Sequence, residues 1–212
     1  MSTAAELLSL ADVAGQSGRQ AEARRLLRDA RFAASREGSL VVLSAVMRRE
    51  ASFLDGAERL PVLLEAARLA ERGGDAIGQI EALEDASREH ASAGRAGAAV
   101  ALLGVCTELQ RTRRDKAGML RAVLLAGRVL CEAWGSEREV PAGMVMLSWA
   151  EDAAHGVDES LARMVRGYLE GYQYTLSPAE FAEVEPFLEL DRMAVIDATF
   201  ARYMDLHRAE LP

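Results

Sequence analysis

Three histidines, two cysteines and a set of evenly spaced arginines carry most of the chemical potential of this 212-residue chain. General acid–base or nucleophilic catalysis needs a base positioned by an acid and set beside a nucleophile. His90, His155 and His207 are dispersed along the chain, and no such grouping is suggested. His90 reads as a packed, satisfied core residue, and His155 and His207 read as solvated helix-end residues. Cys106 and Cys131 sit inside apolar helical patterns, without the close Cys or His neighbours of a zinc site or redox pair, so buried reduced thiols are expected. Glu81, Glu84 and Asp85, and likewise Glu183 and Glu185, are neighbours in sequence rather than acids converging from separate elements, and read as solvated faces. The glycines form neither a phosphate loop nor a dinucleotide fingerprint. The expectation is a non-enzymatic protein with no metal and no cofactor, the alternative being a helical enzyme with a site assembled from scattered acids.

Arg49, Arg88, Arg128 and Arg166 recur at intervals of 39, 40 and 38 residues. A guanidinium fork holds a carboxylate bidentately, so a line of them would suit an acidic peptide or an acidic helix of a partner. Two observations weigh against a special role. Of the 25 bases only Lys116 is lysine, which is what codon bias in a GC-rich genome produces. Glu84, Glu132 and Glu170 also lie four residues from Arg88, Arg128 and Arg166, and each could simply pair with its arginine.

The elements that carry these residues are helices. Ala occurs 39 times and Leu 28 times against three Ile, a bias that favours helix over sheet. Apolar residues recur at three and four along Leu7, Leu10, Ala11 and Ala14, then along Ala23, Leu26, Leu27, Ala30 and Ala33, with a turn at Gly15 to Gly18. The alternation continues, with breaks near Gly38, Asp55-Gly56, Gly73-Gly74, Gly94, Arg113 to Asp115, Gly135 to Glu137, Gly156 and Ser177-Pro178. About ten helices are expected. A net charge of −8 opposes attraction to a polyanion, so nucleic acid is not an expected partner. The segment beginning at Met1 has no signal-peptide pattern, and no stretch approaches the roughly 20 apolar residues that span a bilayer, so no membrane role is expected and the protein reads as cytoplasmic.

Overlaying the hairpins exposes a period. Leu7, Ser44, Leu83, Val123 and Leu161 are equivalent, and the run Leu7, Leu10, Ala11, Ala14, Gly18, Ala23, Leu27, Ala30 is matched without a gap by Leu83, Ala86, Ser87, His90, Gly94, Ala99, Leu103, Cys106. This order resembles the tetratricopeptide-repeat family, although the unit is longer and its aromatic slots hold Ala14, Ala51, His90, Leu130 and Tyr168. The resemblance implies an all-α, right-handed superhelical α-solenoid formed as a single domain over 1–212. Its five antiparallel pairs would occupy about 4–38, 39–74, 75–112, 115–155 and 158–190, with a capping helix near 191–209. It further implies that Arg49, Arg88, Arg128 and Arg166 line a concave groove, joined by Arg121, Phe53, Leu124 and Leu8. The expected function is a scaffold or adaptor that binds an acidic peptide or partner-protein segment. A chaperone or peptide-sensing regulator is a related form, and a homodimer formed through Phe200, Tyr203 and Met204 of the last helix is the alternative. Trp134 and Trp149 are both expected in the core.

Overall fold

The computed structural model describes residues 2–155 and 157–212; Met1 and the break expected at Gly156 lie outside them. The fold is an all-α helical repeat. Ten helices fall within the expected bounds, namely α1 (Ala4–Gln16), α2 (Gln20–Glu37), α3 (Leu40–Ala51), α4 (Gly56–Arg72), α5 (Ala76–Ser92), α6 (Ala96–Thr112), α7 (Lys116–Glu132), α8 (Val140–Ala154), α9 (Glu159–Thr175) and α10 (Pro178–Leu188), and α1 with α2, α3 with α4 and α7 with α8 pack as hairpins. A final helix, α11 (Arg192–Leu206), follows them.

Local chemistry explains where these helices start and stop. Thr3 and Glu6 form a reciprocal capping box on α1, as Ser177 and Glu180 do on α10, where Pro178 occupies the first turn. The backbone N–H and hydroxyl of Ser177, joined by Arg138, hold the Glu180 carboxyl down to about 2. Pro186 leaves α10 helical for only two more residues. Five inter-helix turns share one device, a left-handed residue at Gly18, Gly38, Gly74, Gly94 and Arg114. In each, the next N–H donates to a carbonyl of the preceding helix at 2.9–3.1 Å: Arg19 to Ala14, Ser39 to Ala34, Asp75 to Ala70, Arg95 to His90 and Asp115 to Gln110. Four of the five positions are glycine, which adopts this conformation without the Cβ penalty, and Arg114 does so at φ 57°.

The chain falls into two compact units, one comprising residues up to Glu89 and the other His90–Leu211, so the division runs through α5. In the first unit α1 packs on α2, α2 on α3 and α3 on α4, around Ala11, Ala14, Leu27, Ala30 and Val46. Ser44 occupies the anchor position that elsewhere is apolar. It is buried, and its hydroxyl donates to the Ala66 carbonyl at 2.7 Å, so the departure is satisfied by α4.

In the second unit α6 packs on α7, α7 on α8 and α8 on α9, while α10 lies against α8. The α7–α8 approach depends on glycine. A Cβ on Gly143 would stand 2.6 Å from the Cys131 Sγ and 2.8 Å from the Gly127 carbonyl. Cys131 and Cys106 are buried thiols, and burial pushes the Cys131 thiol up to about 12. The last helix does not stack end-on over α9 and α10. It lies along α6 and α8, where Gly97 and Gly104 leave space for Tyr203, Phe200 and Met204. Phe200 and Tyr203 are thereby buried within their own unit, and the Tyr203 hydroxyl donates to Glu139 at 2.8 Å.

Candidate functional site

The four repeat-related arginines divide between the units, Arg49 and Arg88 in the first and Arg128 and Arg166 in the second. Each has a carboxylate of its own chain. Arg49, in the last turn of α3, donates from Nε to Asp12 Oδ1 at 2.8 Å, and this bond raises its pKa further. Arg88 reaches Asp85 at 2.5 Å and Glu84 at 3.6 Å. Arg128 reaches Glu132 at 3.0 Å, with its Cζ 4.5 Å from the centre of the Tyr168 ring. Arg166 takes Glu151 of α8 at 2.6 Å rather than the helical neighbour Glu170, with His155 Nε2 3.3 Å away. The partner of Arg49 was legible in the repeat, because Asp12 stands at the same repeat position one unit earlier.

Several other expected positions fall elsewhere. Leu124 is buried in the core of the second unit with Leu120, Met144 and Leu147, so it presents nothing to a groove; Arg121 is exposed. Leu8 packs on the first core. Trp134 is 90% exposed rather than core, whereas Trp149 packs half-buried against the second core as expected. His90 is buried as expected, but it is not satisfied: neither ring nitrogen has a hydrogen-bond partner. Burial first, and then the charge of Arg95, lower its pKa. Buried Gln110, whose amide oxygen and nitrogen both lack partners, was not singled out in the sequence. His155 and His207 lie beside acids, His155 near Glu159 and His207 on Glu210 at 2.9 Å. Among the described residues no cluster of His, Cys, Asp and Glu is placed to hold a metal ion, and no helix is long and apolar enough to cross a membrane.

What the first unit does assemble is a concave site. A cavity of about 760 Å³ opens where the end of α1, the start of α2, the α3–α4 turn and the start of α4 converge. Arg49 and Phe53, both expected binding residues, line it together with Arg24, Leu27 and Arg59. Arg59 is committed to structure: it donates to the Ala51 and Leu54 carbonyls at 3.1 and 3.0 Å and to Glu89 at 2.7 Å, fastening the α3–α4 turn that carries Phe53. The Arg24 Cζ stands 5.0 Å from the centre of the Phe53 ring. No family model matches the chain, and no curated protein matches its sequence. Sequence reasoning missed Arg24 and its neighbour one turn on, Arg28, because both lie on the second helix of a hairpin while attention followed the first. The available signal was local charge: between Arg19 and Arg36 the acidic chain carries six arginines against Glu22 and Asp29.

A cavity of this size, in which Phe53 and three arginines stand with only Asp12 and Asp55 as carboxylates, suits recognition of a small anionic feature. In another hollow of the same unit the charges are mutually compensated. This smaller hollow, of about 220 Å³, contains Arg48, Arg59 and Arg88, which pair with Glu81, Glu89 and Asp85 respectively.

Proposed function

We propose that this chain is a non-catalytic, tetratricopeptide-like interaction module that binds an acidic segment of a partner protein. The observation that carries the reading is the cavity of the first unit, where Arg24 and Arg49 stand beside the apolar ring of Phe53. Concave helical-repeat surfaces bind extended or helical segments of other chains. Cations beside an apolar anchor favour acidic segments and repel basic ones. The Arg49–Asp12 pair does not preclude this, because an exposed ion pair contributes only about 0.2–1 kcal/mol and an incoming carboxylate can exchange with Asp12.

The reading is tested with the purified chain and an Arg49→Ser, Phe53→Ser variant as parallel baits in a native lysate, followed by cross-linking to locate the captured segment. The expected result is an acidic segment cross-linked to the wild type and lost from the variant. A captured segment that is neutral or basic overturns the reading, as does retention of the wild-type partner by the variant.

A further inference from the structure

A second cavity, of about 570 Å³, adjoins the first and shares Arg24, Leu27, Phe53 and Leu54 with it. Its character differs, with Phe53, Leu27 and Val62 forming apolar walls and Arg24 and Arg28 standing along one edge. Arg31 at the far end is paired with Glu50 at 3.0 Å, whereas among the described residues no carboxylate lies within ion-pair distance of Arg24 or Arg28. These two exposed cations sit one helical turn apart on α2, an arrangement of like charges that disfavours the isolated helix. Arg24 is also pre-oriented. Its Cζ lies over the Phe53 ring, 5.0 Å from the centre, a contact that steadies the side chain without supplying a carboxylate to its N–H donors.

Resting on the interaction-module reading, the geometry points to a two-part motif as the ligand of this site: an acidic side chain held between Arg24 and Arg28, next to an aromatic or large aliphatic side chain lodged on Phe53, Leu27 and Val62. The carboxylate replaces the water around two uncompensated cations, and the apolar neighbour fills a cavity whose walls have no use for a second charge. Nucleic acid also offers an anionic phosphate beside a stacking base, but a net charge of −8 opposes attraction to a polyanion, so an acidic peptide is the favoured ligand although α2 is basic.

The test is an array of short peptides with one fixed Glu and the neighbouring positions varied over every amino acid, probed with the purified full chain, an Arg24→Ala, Arg28→Ala variant and an Arg113→Ala, Arg114→Gly control. All four arginines are exposed, and circular dichroism checks that helicity is kept. The expected signal concentrates on peptides pairing Glu with Phe, Tyr, Trp, Leu or Met. It falls about tenfold when that Glu becomes Gln and by a similar factor in the Arg24, Arg28 variant, and it is unchanged in the control. If the variant binds these peptides as well as the wild type, the site is overturned while the acidic-segment reading stands. If no Glu peptide exceeds its Gln counterpart, both fall. A short oligothymidylate that binds as tightly as the best peptide overturns the peptide motif in favour of a nucleic-acid ligand.

Discussion

Replacing His90 with leucine is expected to stabilise the second unit and to flatten its response to acid. His90 is 1% exposed, and both of its ring nitrogens lack partners. A neutral imidazole thus buries one donor and one acceptor that in water would each be hydrogen-bonded, and an unsatisfied buried polar group costs about 1–3 kcal/mol. The equivalent slot of the next repeat holds Leu130, fully buried, so the fold already accommodates leucine there. A gain of about 1–3 kcal/mol at neutral pH corresponds to roughly 2–12 °C in Tm for a chain of this length.

The pH dependence has a definite sign. Burial, then Arg95, lower the pKa of folded His90, with His207 acting in the same direction and Glu210 against it, while the unfolded chain binds its proton near 6.5. Below that value the unfolded state holds more protons, so wild-type stability falls as the pH drops toward the folded pKa. Leucine removes this loss. Denaturant unfolding followed by circular dichroism at about pH 7.5 and about pH 5 should show the gap between variant and wild type widening at the lower pH. A variant no more stable than wild type, or a gap that does not change with pH, refutes the assignment of His90 as an unsatisfied neutral group.

Arg114→Gly should raise stability by about 0.5–1 kcal/mol in chemical denaturation, because Arg114 alone among the five equivalent turn residues pays the left-handed penalty with a side chain. Gly143→Ala should lower stability by about 1–3 kcal/mol or more, since its methyl group would overlap Cys131 Sγ and the Gly127 carbonyl; an unchanged denaturation midpoint would contradict the close α7–α8 approach. Arg88→Ser should change stability by less than about 0.5 kcal/mol, because its pairs with Asp85 and Glu84 are local and exposed. Trp134→Phe should leave stability unchanged and shift the remaining tryptophan fluorescence to shorter wavelength, since it removes the 90% exposed indole and retains half-buried Trp149.

Much of the architecture was legible because it is written in local periodicities. Apolar spacing of three and four placed the helices, and the capping box at Ser177 and Glu180 marked the start of α10. The recurrence from Leu7 to Leu161 aligned the hairpins, even where Ser44 needed a tertiary hydrogen bond to fill its slot. The candidate site was legible only in part. Arg49 and Phe53 do share a cavity, but Arg24 and Arg28 come from the other helix of the preceding hairpin, and nothing in the spacing says which residues of two hairpins will face one hollow.

The sequence by itself determined an all-helical chain, the positions of its helices, a surplus of acid and the identity of the repeated positions, because each depends on side chains within a turn or two of one another. Only the tertiary structure decided the rest. It assigned Glu151 rather than Glu170 to Arg166, buried Leu124 and exposed Trp134. It laid α11 along α6 and α8, where Gly97 and Gly104 admit its aromatic side. These outcomes turn on which faces of different helices meet, and that is set by how side-chain volumes interlock across helices, a property no single stretch of sequence contains.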